Sequence, residues 1–186
     1  MYEIGNAKKM NGFILPPPNV ELGNNSVKTV NKGAIMLGRE NSLLKHGGDV
    51  KNWVFIYSTG KNSFARDRDD ADDALKTLNT AGKTYGVKFA EPGFIEVSDM
   101  NADTWKKLLH KDQQDNGKPS FILLMFKPAE EKFYSKLKKY ITNELGTISQ
   151  FVKKRTFTGK NALSCASKLL IQISCKIGNA PWEMRR

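Results

Sequence analysis

The chain is poor in the residues that build the commonest catalytic and metal centres. Its 186 residues include two cysteines and two histidines. Cys165 and Cys175 stand ten residues apart in one stretch of helical pattern. About 15 Å of helical rise would separate them, far beyond disulfide reach, and they are expected to be reduced core thiols. His46 and His110 have no Cys or His at ligand spacing, which excludes a zinc site of the usual pattern. No apolar run is long enough to span a membrane. The opening MYEIGNAKKMNGF lacks the apolar core of a signal peptide. An intracellular protein is expected, with cytoplasm and nucleus both open.

Nucleotide and hydrolase motifs are missing too. GKT at 82–84 has Thr77 where a phosphate-binding loop needs its first glycine, and it falls at a helix end rather than between strand and helix. TGKN at 59–62 and at 158–161 does no better. No G-x-G-x-x-G follows a strand, no G-x-S-x-G is present, and no Ser/His/Asp set is convincing. The aspartates at 67–73 read as a solvated helix start rather than a cation site.

What the chain does have is positive charge, and it is concentrated. The formal net charge is +11, and residues 127–186 carry 13 Lys and Arg against 4 Asp and Glu. That is the electrostatic footprint expected of a polyanion partner, although a solubilising basic face would look the same.

Residues 1–50 read as an extended linker segment. Pro16 to Pro18 force extended backbone, Gly23-Asn24-Asn25 marks a turn, and GAIMLG at 33–38 suggests one short strand. Regular alternation begins at residue 51. Strands are expected at 52–58, 93–99, 119–127 and 148–157. Helices are expected from Asp69 to Gly86, with Asp69, Asp70, Asp72 and Asp73 at its start, and from Asn101 as cap to Gly117 as stop. A third runs from Glu130 and Glu131 to Gly146, and a fourth covers 161–178. Four strand–helix alternations predict an α/β fold: a Rossmann-like domain at 51–186 with a mostly parallel four-stranded sheet flanked by helices. In such sheets ligands sit outside the carboxyl ends of the strands.

The third helix carries EKFYSKLKKY. Tyr134 and Lys138 are four residues apart and share a face, beside a buried stripe of Leu137, Tyr140 and Ile141. Just beyond the Gly146 break, a polar pair, Ser149-Gln150, sits in a strand. In the fourth helix Lys168, Gln172 and Lys176 recur every four residues. Singly, each has an ordinary reading as a half-buried ring, a snorkelling lysine or a solvated face. Together they could converge on one anion.

YSKLK, then SQF, then LLIQISCKIG resembles the MID domain of Argonaute proteins over roughly residues 51–178. NGFILPPPNVELGNN is similar to the linker that precedes that domain. LKKY and Gln172 lean towards the Piwi branch. The resemblance implies a pocket for the 5′-phosphorylated end of a small guide RNA, used in RNA-mediated gene silencing. Lys138, Gln150 and Lys176 would bind the phosphate, and Tyr134 would stack on the first base. Lys168 and Lys153 would contact later phosphates. Gln172 stands where a further cation might be expected, and the Piwi pattern implies Mg²⁺ bridged there by RNA phosphates. The loop at 127–132 would face the edge of the first base, with no base preference derivable. The resemblance also implies a fragment without the catalytic PIWI domain, hence a partner in that domain, and no RNA cleavage by this chain. Two departures stand out: Phe151 where a smaller residue is common, and Asn179 where a glycine is common. A basic α/β protein-interaction module and an unrecognised nucleotide-using enzyme are the alternatives.

Overall fold

The computed structural model describes residues 12–30, 44–60, 64–127 and 131–185. A four-stranded parallel sheet forms the centre, from β4 (Trp53–Ser58), β6 (Gly93–Val97), β7 (Phe121–Phe126) and β8 (Ile148–Lys153), in the order β6-β4-β7-β8. All six residues of β4 and all six of β7 are buried, as their continuous apolar sequences require of strands covered on both faces. Alternate residues feed two cores. Trp53, Phe55, Tyr57, Phe121, Leu123 and Met125 face α1 (Phe64–Tyr85) and α5 (Ala162–Lys176). Val54, Ile56, Ile122, Leu124 and Phe126 face α2 (Ala102–Asn116) and α3 (Glu131–Lys139). The α/β fold with a parallel four-stranded sheet is as the alternation predicts.

The buried tryptophans are polar at one point only, and each satisfies it. Trp53 Nε1 donates to the Ala90 carbonyl at 2.7 Å and Trp105 Nε1 to the Asp99 carbonyl at 2.9 Å. Asn101 caps α2 by accepting from the Asp103 N–H, and Gly117 ends it at φ 83°.

Several expectations are corrected. The first long helix begins at Phe64, so Asp69 to Asp73 lie inside it rather than at its start. There they serve side-chain pairs, Arg68 with Asp72 and Lys76 with Asp73. The strand expected over 148–157 ends at Lys153. Lys154 turns into the helical region at φ −48°, ψ −43°, its N–H donates to the Phe126 carbonyl, and Arg155–Thr158 form one short helical turn, α4. Cys165 is half-buried and Cys175 exposed, so neither is a core thiol.

The third helix does not end cleanly. After α3 the backbone widens over Tyr140–Glu144, where the Leu145 N–H reaches back five residues to the Tyr140 carbonyl at 3.1 Å. Tyr140 and Ile141 stay buried through this turn, and Gly146 at φ 60° reverses the chain into β8.

The N-terminal segment is more than extended backbone. β1 (Asn19–Glu21) pairs antiparallel with β2 (Val27–Thr29) and with β9 (Glu183–Arg185), and Val20 and Leu22 are buried. β3 (Asp49–Val50) pairs in parallel with β5 (Lys88–Phe89), and Leu44 and Val50 join the core beneath α1 and α5. Asn179 has a defined task at the exit of α5. Its Nδ2 donates to the Gly47 carbonyl at 3.2 Å and occupies the space a Cβ on Gly48 would need, 2.1 Å away. The strand suggested at 33–38 and Glu130 lie outside the described residues.

Candidate nucleic-acid interface

β8 is an edge strand, hydrogen-bonded to β7 alone within its sheet. Its successive side chains point to opposite faces, so residues 149, 150 and 151 can reach both helical layers. They do so one by one. Ser149 Oγ accepts from Lys138 Nζ of α3 at 2.9 Å. Gln150 Oε1 accepts from Lys176 Nζ of α5 at 2.7 Å, and the same ammonium donates to the Ser149 carbonyl at 2.9 Å. The Phe151 ring meets the Tyr134 ring of α3, with centroids 4.8 Å apart and planes at 70°. Two helices from opposite faces of the sheet thus close on one tripeptide at its open edge.

The amide orientation of Gln150 follows from chemistry. An ammonium can only donate, so the atom facing Lys176 is the oxygen. The Phe151 carbonyl can only accept, so the atom 3.1 Å from it is Nε2. Gln150 therefore anchors Lys176 and donates its own amide N–H to the Phe151 carbonyl.

Electrostatics set these lysines apart. Their partners are a hydroxyl, a peptide carbonyl and an amide carbonyl, all neutral, and among the described residues no carboxylate pairs with either. Burial lowers the Lys138 pKa below its ordinary value. Burial and then repulsion from Lys138 lower that of Lys176. Ser149 is 1% exposed, so the two charges are held over a buried polar floor. Such an arrangement favours an incoming anion, which removes the repulsion and replaces the lost hydration.

The sequence-predicted residues divide into two groups. Lys138, Gln150 and Lys176 meet directly, and Tyr134, 44% exposed, stands beside them on Phe151. Lys168 and Gln172 are exposed on α5, two turns and one turn before Lys176, and Lys153 is exposed at the end of β8. These three do not join the cluster by direct contact. Ser149 and Phe151 touch the cluster directly, and residue-type reasoning left them outside the candidate set. Their signals were a polar residue inside a buried strand and a large ring at a site expected to be small.

The cluster lies along the sheet edge, not at the carboxyl ends of the strands. Those ends are occupied by an ion-pair network. Asp67, 1% exposed, accepts from the Gly60 N–H at 2.6 Å, from Lys127 Nζ at 3.3 Å and from Lys154 Nζ, which also pairs with Asp70 at 2.5 Å. A cleft of about 730 Å³ opens beside it, lined by both signs of charge, including Arg66, Asp73 and Arg155.

For a divalent cation, the described residues contain no group of three His, Cys, Asp or Glu able to hold a metal ion. Gln172 offers one neutral amide oxygen on an exposed helix face. That donor set fits Mg²⁺ only as one ligand among anionic oxygens supplied by something bound.

The fold and the cluster define a Rossmann-like α/β domain with a cationic cluster astride its edge strand. No family model matches the chain. It is 29% identical over 137 residues to Piwi-like protein 1 of Danio rerio, covering 73% of this chain and 15% of that protein. It is 25% identical over 179 residues to Piwi-like protein Siwi of Bombyx mori, covering 95% and 19%. The chain thus spans less than a fifth of the length of these relatives. Drosophila Piwi superposes with a TM-score of 0.72 at 19% identity, over 93% of this chain and 23% of that one. The Arabidopsis thaliana AGO5 MID domain superposes with a TM-score of 0.59 at 19% identity, over 77% of this chain and 98% of that one. The chain is similar in sequence to Piwi-branch Argonaute proteins and has the fold of the Argonaute MID domain. Among the described residues no helix is long and apolar enough to cross a membrane.

Proposed function

We propose that the chain binds the 5′-phosphorylated end of a small guide RNA, as the guide-anchoring part of a Piwi-like Argonaute. The observation that carries this reading is the pair of partly desolvated ammonium groups, Lys138 and Lys176, held on Ser149-Gln150 with no carboxylate partner among the described residues. A terminal phosphate monoester carries nearly two negative charges against one for an internal diester, so two facing lysines reward the strand end. Each charge-assisted hydrogen bond is worth about 1.5–3 kcal/mol. Gln150 would rotate its amide to donate to a phosphate oxygen once the phosphate takes over Lys176. Tyr134 would stack on the first base without reading its identity. Lys153 and Lys168 would meet later phosphates. Where Mg²⁺ joins the complex, Gln172 supplies a neutral oxygen and the RNA phosphates the anionic ligands. In this reading the chain binds RNA and cleaves nothing, and its protein partner is the PIWI domain of an Argonaute.

The deciding experiment is a titration of this chain with short RNAs that differ only in a 5′-phosphate or 5′-hydroxyl, at fixed moderate salt. Preference for the phosphate by tenfold or more is expected. Equal affinity would overturn the reading and favour a general basic interaction surface.

A further inference from the structure

We infer that Phe151 is a positioning residue for first-base stacking: it mounts the Tyr134 ring before RNA arrives. The inference rests on reading Tyr134 as the base platform and goes beyond it by assigning the platform's support. Tyr134 is 44% exposed on a helix surface, where a ring ordinarily samples several rotamers. Here it meets Phe151 at 4.8 Å, the shortest centroid separation among the described aromatic pairs. Phe151 is itself fixed from behind. It stands 6.1 Å from Phe126, which stands 5.7 Å from Phe133, which meets Trp105 at 5.3 Å and 87°. Trp105 is fully buried, and Phe126 and Phe133 nearly so. A continuous row of rings therefore leads from the core under α2 and α3 out to the exposed Tyr134 beside the lysine cluster.

The consequence concerns preorganisation. A free ring must lose rotamer entropy when a base stacks on it, and a ring already held does not. The β8 register separates this task from phosphate binding. Ser149 and Gln150 hold the lysines, and Phe151, next in the strand, holds the ring. A substitution at 151 should therefore weaken the base contact and spare the phosphate contact. The ligand is any nucleobase at the first position, because every base presents a π-face.

The test uses three RNAs on this chain: a 5′-phosphorylated strand, the same strand with an abasic first position, and the 5′-hydroxyl strand. In the unsubstituted chain the first should bind better than either of the others. Phe151→Ala should cut the base-to-abasic affinity ratio about threefold to tenfold, the range of an aromatic pair contact. The phosphate-to-hydroxyl ratio should stay within about twofold, and Phe151→Tyr should restore the base ratio. Phe151→Leu keeps most of the volume without the ring and should behave as the alanine variant does, which covers poor folding of the latter. An unchanged base ratio in the leucine variant, or a parallel fall in both ratios, would overturn the inference. An unsubstituted chain that prefers the phosphate but ignores the first base would overturn this inference alone. One that ignores both would overturn the proposed function as well.

Discussion

Two pairs of lysines occupy opposite electrostatic situations in this domain. At the carboxyl ends of the strands, Lys127 and Lys154 converge on Asp67, with Asp70 also on Lys154. Burial pulls the Lys154 pKa down, but the hydrogen bonds to Asp67 and Asp70 outweigh it and the net shift is upward. At the edge of the sheet, Lys138 and Lys176 are partly desolvated against neutral oxygens and shift downward. One residue type thus makes a closed clasp in one place and an open cationic site in the other. A carboxylate on the first turn of α1 is the difference. The carboxyl ends of the strands, where α/β domains commonly bind ligands, are here already neutralised, and the unmet charge lies elsewhere.

The strongest way to break the contrast is at the clasp. Asp67→Ala leaves two lysines facing each other without their buried carboxylate, and about 3–5 kcal/mol of stability should be lost. Chemical denaturation measures this, and any surviving folded protein should keep its preference for 5′-phosphate. At the edge the signs reverse. Lys138→Ala or Lys176→Ala should each remove about 1.5–3 kcal/mol of phosphate binding. Stability should be unchanged or slightly higher, since a desolvated charge is removed. A large stability loss in either variant would mean that these lysines, too, are structural.

Alkaline titration sharpens the comparison. Lys154, with its raised pKa, contributes stability that is fully present below its ordinary pKa of 10.5 and is lost as pH rises through the folded value. For Lys138 and Lys176 the unfolded chain holds its protons to higher pH than the folded one. Their contribution to stability therefore rises with pH between the lowered folded values and 10.5. The phosphate-to-hydroxyl preference should fall over that same range as the lysines lose charge. It should also fall below about pH 6, where the monoester regains a proton. Measured across pH, the preference should be a plateau with two shoulders.

The smallest effect is expected at Ser149→Ala. It removes the hydroxyl that positions Lys138 and leaves the carbonyl that serves Lys176. About 0.5–1.5 kcal/mol of phosphate binding should be lost, read from the same titration. No change would show that Lys138 needs no anchor.

Much of this arrangement is written in local pattern. Continuous apolar runs marked β4 and β7 as strands, and Asn101, Gly117 and Gly146 marked helix ends through their backbone chemistry. The start of α1 and the end of β8 were misread for one shared reason. Asp67 and Lys154 lie beside those two boundaries and pair across 87 residues, a contact no local window contains. The two cysteines were misjudged because a helix of mixed pattern does not reveal which residues its neighbours cover.

For the candidate site, the sequence by itself determined the residue types, the excess of positive charge and the helical spacing of Tyr134 with Lys138 and of Gln172 with Lys176. Those depend on composition and on a 3.6-residue period. Only the tertiary structure decided that α3 and α5, packed on opposite faces, meet around an edge strand. It decided too that Ser149, Gln150 and Phe151 each find side-chain partners there, and that Lys127 and Lys154 are neutralised by a distant carboxylate. The physical reason is that a charge becomes a binding site through what surrounds it after folding, and residues far apart in the chain supply those surroundings.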